Sequence, residues 1–218
     1  MKLPKLALAP LLALAVMLLG LAGPARADAA PALAPDVALK STVDQIRGMI
    51  KQHYPEYKAD QGKFYQAVND VVVPRFDVDG ISKLVLGANY RSATPDQRSR
   101  FAAAFKDMLV HTYANAMLDN YNSVNVTWLT PRISADGTDA AVNTSLTRDN
   151  GQSFAIGFRV HVVDGDWKIV DISVENISLV LNFRTQLNSE IKRTSLDDVI
   201  TRMQNGQFKA SDKPQQQG

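Results

Sequence analysis

WKIVDISVENISLVLNFR, residues 167–184, changes its hydrophobic period halfway along, and the fold turns on that change. Its first half alternates like a strand. Val170, Ile172 and Val174, headed by Lys168, make one row, while Ile169, Asp171 and Ser173 make the other behind Trp167. From Leu179 the spacing becomes helical, with Leu179, Val180, Phe183, Leu187 and Ile191 on one face. A strand therefore hands over to an amphipathic helix at Glu175–Ser178.

Working back from this junction, Asp164-Gly165-Asp166 is a hairpin turn. It joins Trp167–Val174 to Ser153–Val163, the longest strand, with Phe154, Ile156, Phe158, Val160 and Val162 on one face. Asp149-Asn150-Gly151 is the next turn, preceded by a strand with Val142, Thr144 and Leu146 in alternation. Pro131–Asp139 reads as a further turn and Val124, Val126 and Trp128 as the first strand. Short loops between consecutive strands predict a four-stranded antiparallel meander.

Everything earlier is helical. Thr94-Pro95-Asp96-Gln97 combines a capping Thr, Pro at the first helical position and Gln three residues after the cap. The helix it opens runs to about Asn120, with Phe101, Phe105, Met108, Leu109, Thr112 and Ala116 on one face and Tyr113 and Met117 extending it. Leu39, Val43, Ile46 and Ile50 predict a helix from Val37 to Tyr54, stopped by Pro55. Phe64, Val68, Val71 and Val72 belong to a second helix ending at Pro74, and Asp77 caps a third that Gly87 closes. After the junction, Ser195 caps a last helix that ends at Asn205-Gly206, and residues 207–218 read as a disordered polar tail. The fold class is α+β, with the apolar face of the sheet covered by N- and C-terminal helices.

Lys2 and Lys5, the apolar run Leu6–Leu21 and Ala25-Arg26-Ala27 together read as a signal peptide, residues 1–27, cleaved before Asp28. That implies secretion. Its removal takes three basic residues and no acidic one, so 24 basic against 22 acidic becomes 21 against 22. No excess positive charge then supports nucleic-acid binding. Residues 28–206 suffice for one domain, with two lobes allowed. Cys is absent, which excludes thiol chemistry and disulfides.

A search for chemistry returns little. His53, His111 and His161 form no H-x-x-x-H or H-x-H pair, and no nucleophile elbow or phosphate-cradling Gly-rich loop occurs. Asp171 is the one carboxylate inside a strand that a buried site would use, and a satisfied structural acid is the alternative. What remains is apolar surface, which either lines a cavity or packs into a solid core. Periodicity does not separate the two.

The chain resembles the MlaC family of periplasmic phospholipid carriers, also called the toluene-tolerance family of transport components. The resemblance lies in Val73-Pro74-Arg75-Phe76-Asp77, Ile81–Gly87 with Tyr90-Arg91, Thr94 with Gln97, Phe101 with Phe105, and Leu109 with Thr112-Tyr113-Ala114. It continues through Trp167-Lys168, Asp171, Val174-Glu175, Ser178-Leu179-Val180 and Asn182-Phe183-Arg184, and covers residues 37–205. One departure is Asn176, where the family tends to have Gly; Asn tolerates the left-handed backbone that such a turn needs.

The resemblance implies an NTF2-like curved sheet and helices enclosing an apolar cavity for acyl chains. It implies no enzyme activity, and a phospholipid as cargo in place of a cofactor. The partners would be an outer-membrane lipoprotein–porin complex and an inner-membrane ABC transporter with its own substrate-binding domain, reached across the periplasm. The expected lining is Phe105, Leu109, Tyr113 and Met117 from the long helix, then Val126, Trp128, Val142, Phe154, Ile156, Phe158, Val160, Ile172 and Val174 from the strands. Leu179, Val180 and Phe183 complete it, and Lys83 and Arg91 are candidate contacts for phosphate or a partner. An acyl chain of about 14 methylenes costs roughly 11 kcal/mol to expose to water, at ~0.8 kcal/mol each. A soluble carrier must hide the tails, whereas the headgroup can stay wet. Two other readings fit the residues: an NTF2-like isomerase or hydratase with Asp171 as base, and a secreted protein-binding module with a solid core.

Overall fold

The computed structural model describes residues 33–208; the expected signal peptide and residues 209–218 lie outside the described residues. The junction that organises the sequence contains one more element than expected. Strand β5 (Asp166–Val174) turns at Glu175-Asn176 into a two-residue strand, β6 (Ile177–Ser178), before helix α6 (Leu179–Arg193) begins. Glu175 and Asn176 have φ of 51° and 65°, the left-handed pair of a tight hairpin. Glu carries no local advantage there. Its side chain is held instead by the Ala155 amide, which donates to Oε1 at 2.5 Å.

The sheet is antiparallel and has six strands, not four. The first four are β1 (Val124–Trp128), β2 (Arg132–Ile133), β3 (Asp139–Arg148) and β4 (Ser153–Val163), and the order is β1-β3-β4-β5-β6 with β2 also on β3. β1 and β2 form one edge of β3, interrupted at Leu129–Pro131. Proline has no amide to give a ladder, so the edge breaks there and resumes.

The row expected on β5 is also corrected. Arg159 pairs with Asp171 but Val160 pairs with Ile169, which leaves Val170 as the extra residue of a β-bulge. A bulge reverses the alternation beyond it and bends the strand. Ile172 and Val174 thus share the inner face with Trp167 and Ile169 opposite Phe158, Ile156, Val162 and Val160, rather than with Lys168 and Val170.

The helices cover that inner face. Helix α1 (Pro35–Ala59) passes through Pro55 instead of stopping, kinked at His53 (φ −116°, ψ 17°), because Pro removes one helical bond without forbidding a change of direction. Asp60 ends it and caps α2 (Gln61–Val71) through the amides of Gly62 and Lys63. A 3-10 turn, Val73–Arg75, leads to α3 (Val78–Leu86), capped by Asp77 as expected. Short α4 (Asn89–Ser92) precedes α5 (Pro95–Asn120), whose Thr94–Gln97 capping box is complete. Among the described residues no helix is long and apolar enough to cross a membrane.

Helix α7 (Leu196–Gln204) is the last helix among the described residues, and Phe208, expected in a disordered tail, is only 8% exposed. Its amide and that of Gln207 donate to the Arg202 carbonyl, and its ring packs with Ile200 and Met203. Charge pairs hold α7 in place. Arg202 and Arg193 donate to Glu190, and Arg100 and Gln97 donate to Asp197 at 2.6 and 2.7 Å. These bonds hold both carboxyls below their ordinary values of 4.5 and 3.8. Depressed carboxyls stabilise in full above those values and lose that contribution as pH falls through and below them. The melting temperature should therefore hold between about pH 7 and pH 5.5 and decline below about pH 4.5. Arg100→Gln should lessen the decline; an identical acid slope in that variant would remove the α5–α7 pairs as its cause.

Candidate functional site

The interior is not one continuous core. Phe101, Phe105, Phe183, Leu187 and Ile200 centre a cluster among α3, α5, α6 and α7, with Phe101 and Phe105 stacked and Phe105 edge-on to Phe183. Ile50, Phe64, Val68 and Leu118 centre a second among α1, α2 and the C-terminal half of α5. A third joins Ala38 and Leu39 of α1 to Val142, Val160, Trp167 and Ile169 of the sheet. Two cavities lie between these clusters and the sheet.

The first has a volume of about 370 Å³. Its walls include Phe105, Leu109, Tyr113 and Met117 of α5, Ile172 and Val174 of β5, and Leu179, Val180 and Phe183 of α6, all in the expected lining. Tyr113 is 42% exposed, which places it where this cavity meets solvent. Other lining residues were not expected from the sequence: Val68, Val72, Val73, Phe76, Val78 and Ile81 from α2 to α3, with Val110 and Ala114 of α5 and Ile169 of β5. The run Val71-Val72-Val73 was the available signal, since three consecutive valines exceed what one helix stripe needs.

The second cavity, about 390 Å³, lies between α1, the end of α5 and the sheet. It takes Val126, Trp128, Ile156 and Phe158 from the expected lining, and Met117 again. Val43, Ile46, Ile50, Ala116, Tyr121, Val124 and Leu146 complete its apolar surface. Three expected residues line neither space. Val142 and Val160 are fully buried in the third cluster beneath α1, and Phe154 lies under the Arg148 guanidinium, 5.1 Å from its ring centre. Lys83 and Arg91 also line neither.

Several polar groups in the two walls are engaged within the protein, while the exposed Arg148 at the second cavity lies over the Phe154 ring. Lys106 bonds to Asn69 and pairs with Asp107 at 2.7 Å. Asp171 accepts from the Ser178 hydroxyl at 2.7 Å and the Val180 amide at 3.2 Å, anchoring the start of α6. In the second cavity Arg47 donates to the carbonyls of Tyr121 and Val124, and Thr144 to that of Ile156. With their polar atoms engaged, these residues turn mainly methylene and methyl surface inward. A 150 Å³ apolar cavity takes benzene, six carbons, so by that measure each space here admits roughly fifteen.

The arrangement offers little to catalysis. The histidines are apart: His53 beside Glu56, His111 edge-on to Tyr65, and His161 3.0 Å from Asp77. Among the described residues no group of three or more His, Asp or Glu could hold a metal ion. Asp171, the acid singled out by the sequence, faces a helix N-terminus rather than a nucleophile or second acid.

The fold and the site together define an α+β protein with a hollow, hydrocarbon-walled interior. The family described as MlaC protein matches residues 40–205, and the chain belongs to that family. It is 32% identical over 164 residues to toluene tolerance protein ttg2D of Pseudomonas putida, covering 75% of each chain. It is 21% identical to the intermembrane phospholipid transport system binding protein MlaC of Haemophilus influenzae, over 78% of this chain and 80% of the other. A solved phospholipid-binding protein from Ralstonia solanacearum, in complex with a phospholipid, superimposes with a TM-score of 0.71 at 27% identity, covering 79% of this chain and 96% of that one.

Proposed function

We propose that this chain is a periplasmic phospholipid carrier without catalytic activity of its own. The observation that carries the reading is the pair of apolar cavities, about 370 and 390 Å³, in whose walls Lys106, Asp171 and Arg47 are paired within the protein. A headgroup needs no dedicated ligand set, because it can stay in water while the tails are hidden. The relatives named for phospholipid binding and transport support the same cargo. The bulged antiparallel sheet with helices over its inner face supports the NTF2-like reading of the fold.

In this reading residues 1–27 direct export and are removed, and the domain ferries lipid between the two membranes. It does so as the soluble part of an ABC-type system that maintains outer-membrane asymmetry. Its partners are an outer-membrane lipoprotein–porin complex and the inner-membrane transporter with its substrate-binding domain. The chain has no phosphate-cradling loop for ATP, so direction comes from differential affinity at the two docking steps. Protein purified without detergent should show, in native mass spectrometry, an added mass that solvent extraction identifies as phospholipid. Recovery of only the bare chain from cells making phospholipid would overturn the reading.

A further inference from the structure

We propose that Met117 is the partition between the two cavities, and that its side chain sets how long a continuous acyl chain the protein holds. This rests on the carrier reading above.

Met117 lines both spaces. Along α5 and its helical C-cap, Leu109, Tyr113, Met117 and Tyr121 recur at every fourth residue, so they form one stripe with about 6 Å between neighbours. Leu109 and Tyr113 line the first cavity and Tyr121 the second, which puts Met117 at the boundary. Its neighbours do not reinforce it. Ala114 lines the first cavity and Ala116 the second, and each carries a single methyl group.

The sheet below is continuous. Ile172 and Val174 line the first cavity; their direct cross-strand partners, Phe158 and Ile156, line the second. Paired residues of adjacent strands stand about 5 Å apart, so the two spaces share one floor without a step. The separation therefore depends on what hangs from α5. Methionine suits a movable wall, being unbranched with three rotatable bonds and adaptable to what packs against it. With its side chain across the floor, each space holds its own roughly fifteen carbons; swung aside, it lets them join into one chamber.

The test compares wild type, Met117→Ala and Met117→Phe, each made in the same cells and purified without detergent, by native mass spectrometry and lipid extraction. Met117→Ala should shift the bound tails to lengths beyond about fifteen carbons, since the joined spaces admit a single chain of up to roughly thirty. Met117→Phe, stiffer and bulkier, should shift the distribution to shorter or fewer tails. Should the Phe variant fail to fold, the Ala variant still decides. Wild-type loading and chain length in Met117→Ala, with lipid present in both, would overturn the partition and leave the carrier reading intact. A wild-type protein free of lipid would overturn the carrier reading itself, before any variant is compared.

Discussion

Val174→Trp is expected to leave cells folded but with about tenfold less bound lipid, whereas Val160→Trp is expected to be destabilised. The two valines lie on adjacent strands of one sheet face, and from sequence they look alike. Val174 borders the first cavity and belongs to none of the packed clusters, so an indole there projects into open space. Each methylene it displaces from the protein costs the complex ~0.8 kcal/mol. Two displaced methylenes already exceed the ~1.4 kcal/mol that makes a tenfold difference in affinity. Val160 is 1% exposed and packed among Ala140, Val142, Trp167 and Ile169 under α1. Overpacking such a site costs about 1–3 kcal/mol or more, and each kcal/mol lowers the melting temperature of a domain this size by about 2–4 °C. Lipid extraction and thermal unfolding of both variants separate the two effects. If both proteins lost stability equally and kept their lipid, the cavity would not be where the tails lie.

This contrast also marks how far the sequence could be read. The class of fold was legible because the period changes at Val124 and changes back at Leu179, and because Thr94–Gln97 announces the long helix with a complete cap. Strands β2 and β6 were not, since two residues carry no period, and each exists only because a neighbour offers it a free edge. The bulge at Val170 was hidden for a related reason. Both possible rows of β5 contain apolar residues, and only pairing with β4 decides which faces inward. The site was legible as apolar rows but not as cavities. Phe158 and Val160 alternate identically along β4, yet one lines a space and the other is sealed by Ala38 and Leu39 of α1, more than 120 residues away in sequence. Phe208 was lost in a polar tail because a single aromatic shows no periodicity.

Asp171 gives the second large effect, and it separates a carrier from an enzyme built on the same frame. Asp171→Ala deprives the Ser178 hydroxyl and the Val180 amide of their acceptor and takes a negative charge from the positive end of the α6 dipole. Hydrogen bonds to charged groups contribute about 1.5–3 kcal/mol each, and part of that returns through water at this half-buried site, so a loss of about 2–3 kcal/mol is expected. Asp171→Asn keeps one carbonyl oxygen for one of the two donors and should lose about half as much. Urea unfolding of delipidated protein is the appropriate measurement, because bound cargo adds stability of its own. A double-mutant cycle with Ser178→Ala should show coupling, since the two side chains share a bond. Both Asp171 variants should still load lipid once folded, because the carboxylate holds the first turn of α6 and offers the tails nothing. The isomerase or hydratase reading demands the reverse: a variant as stable as wild type that has lost a turnover. If Asp171→Asn cost no stability, the anchoring role would fail, and the acid would again need a chemical explanation.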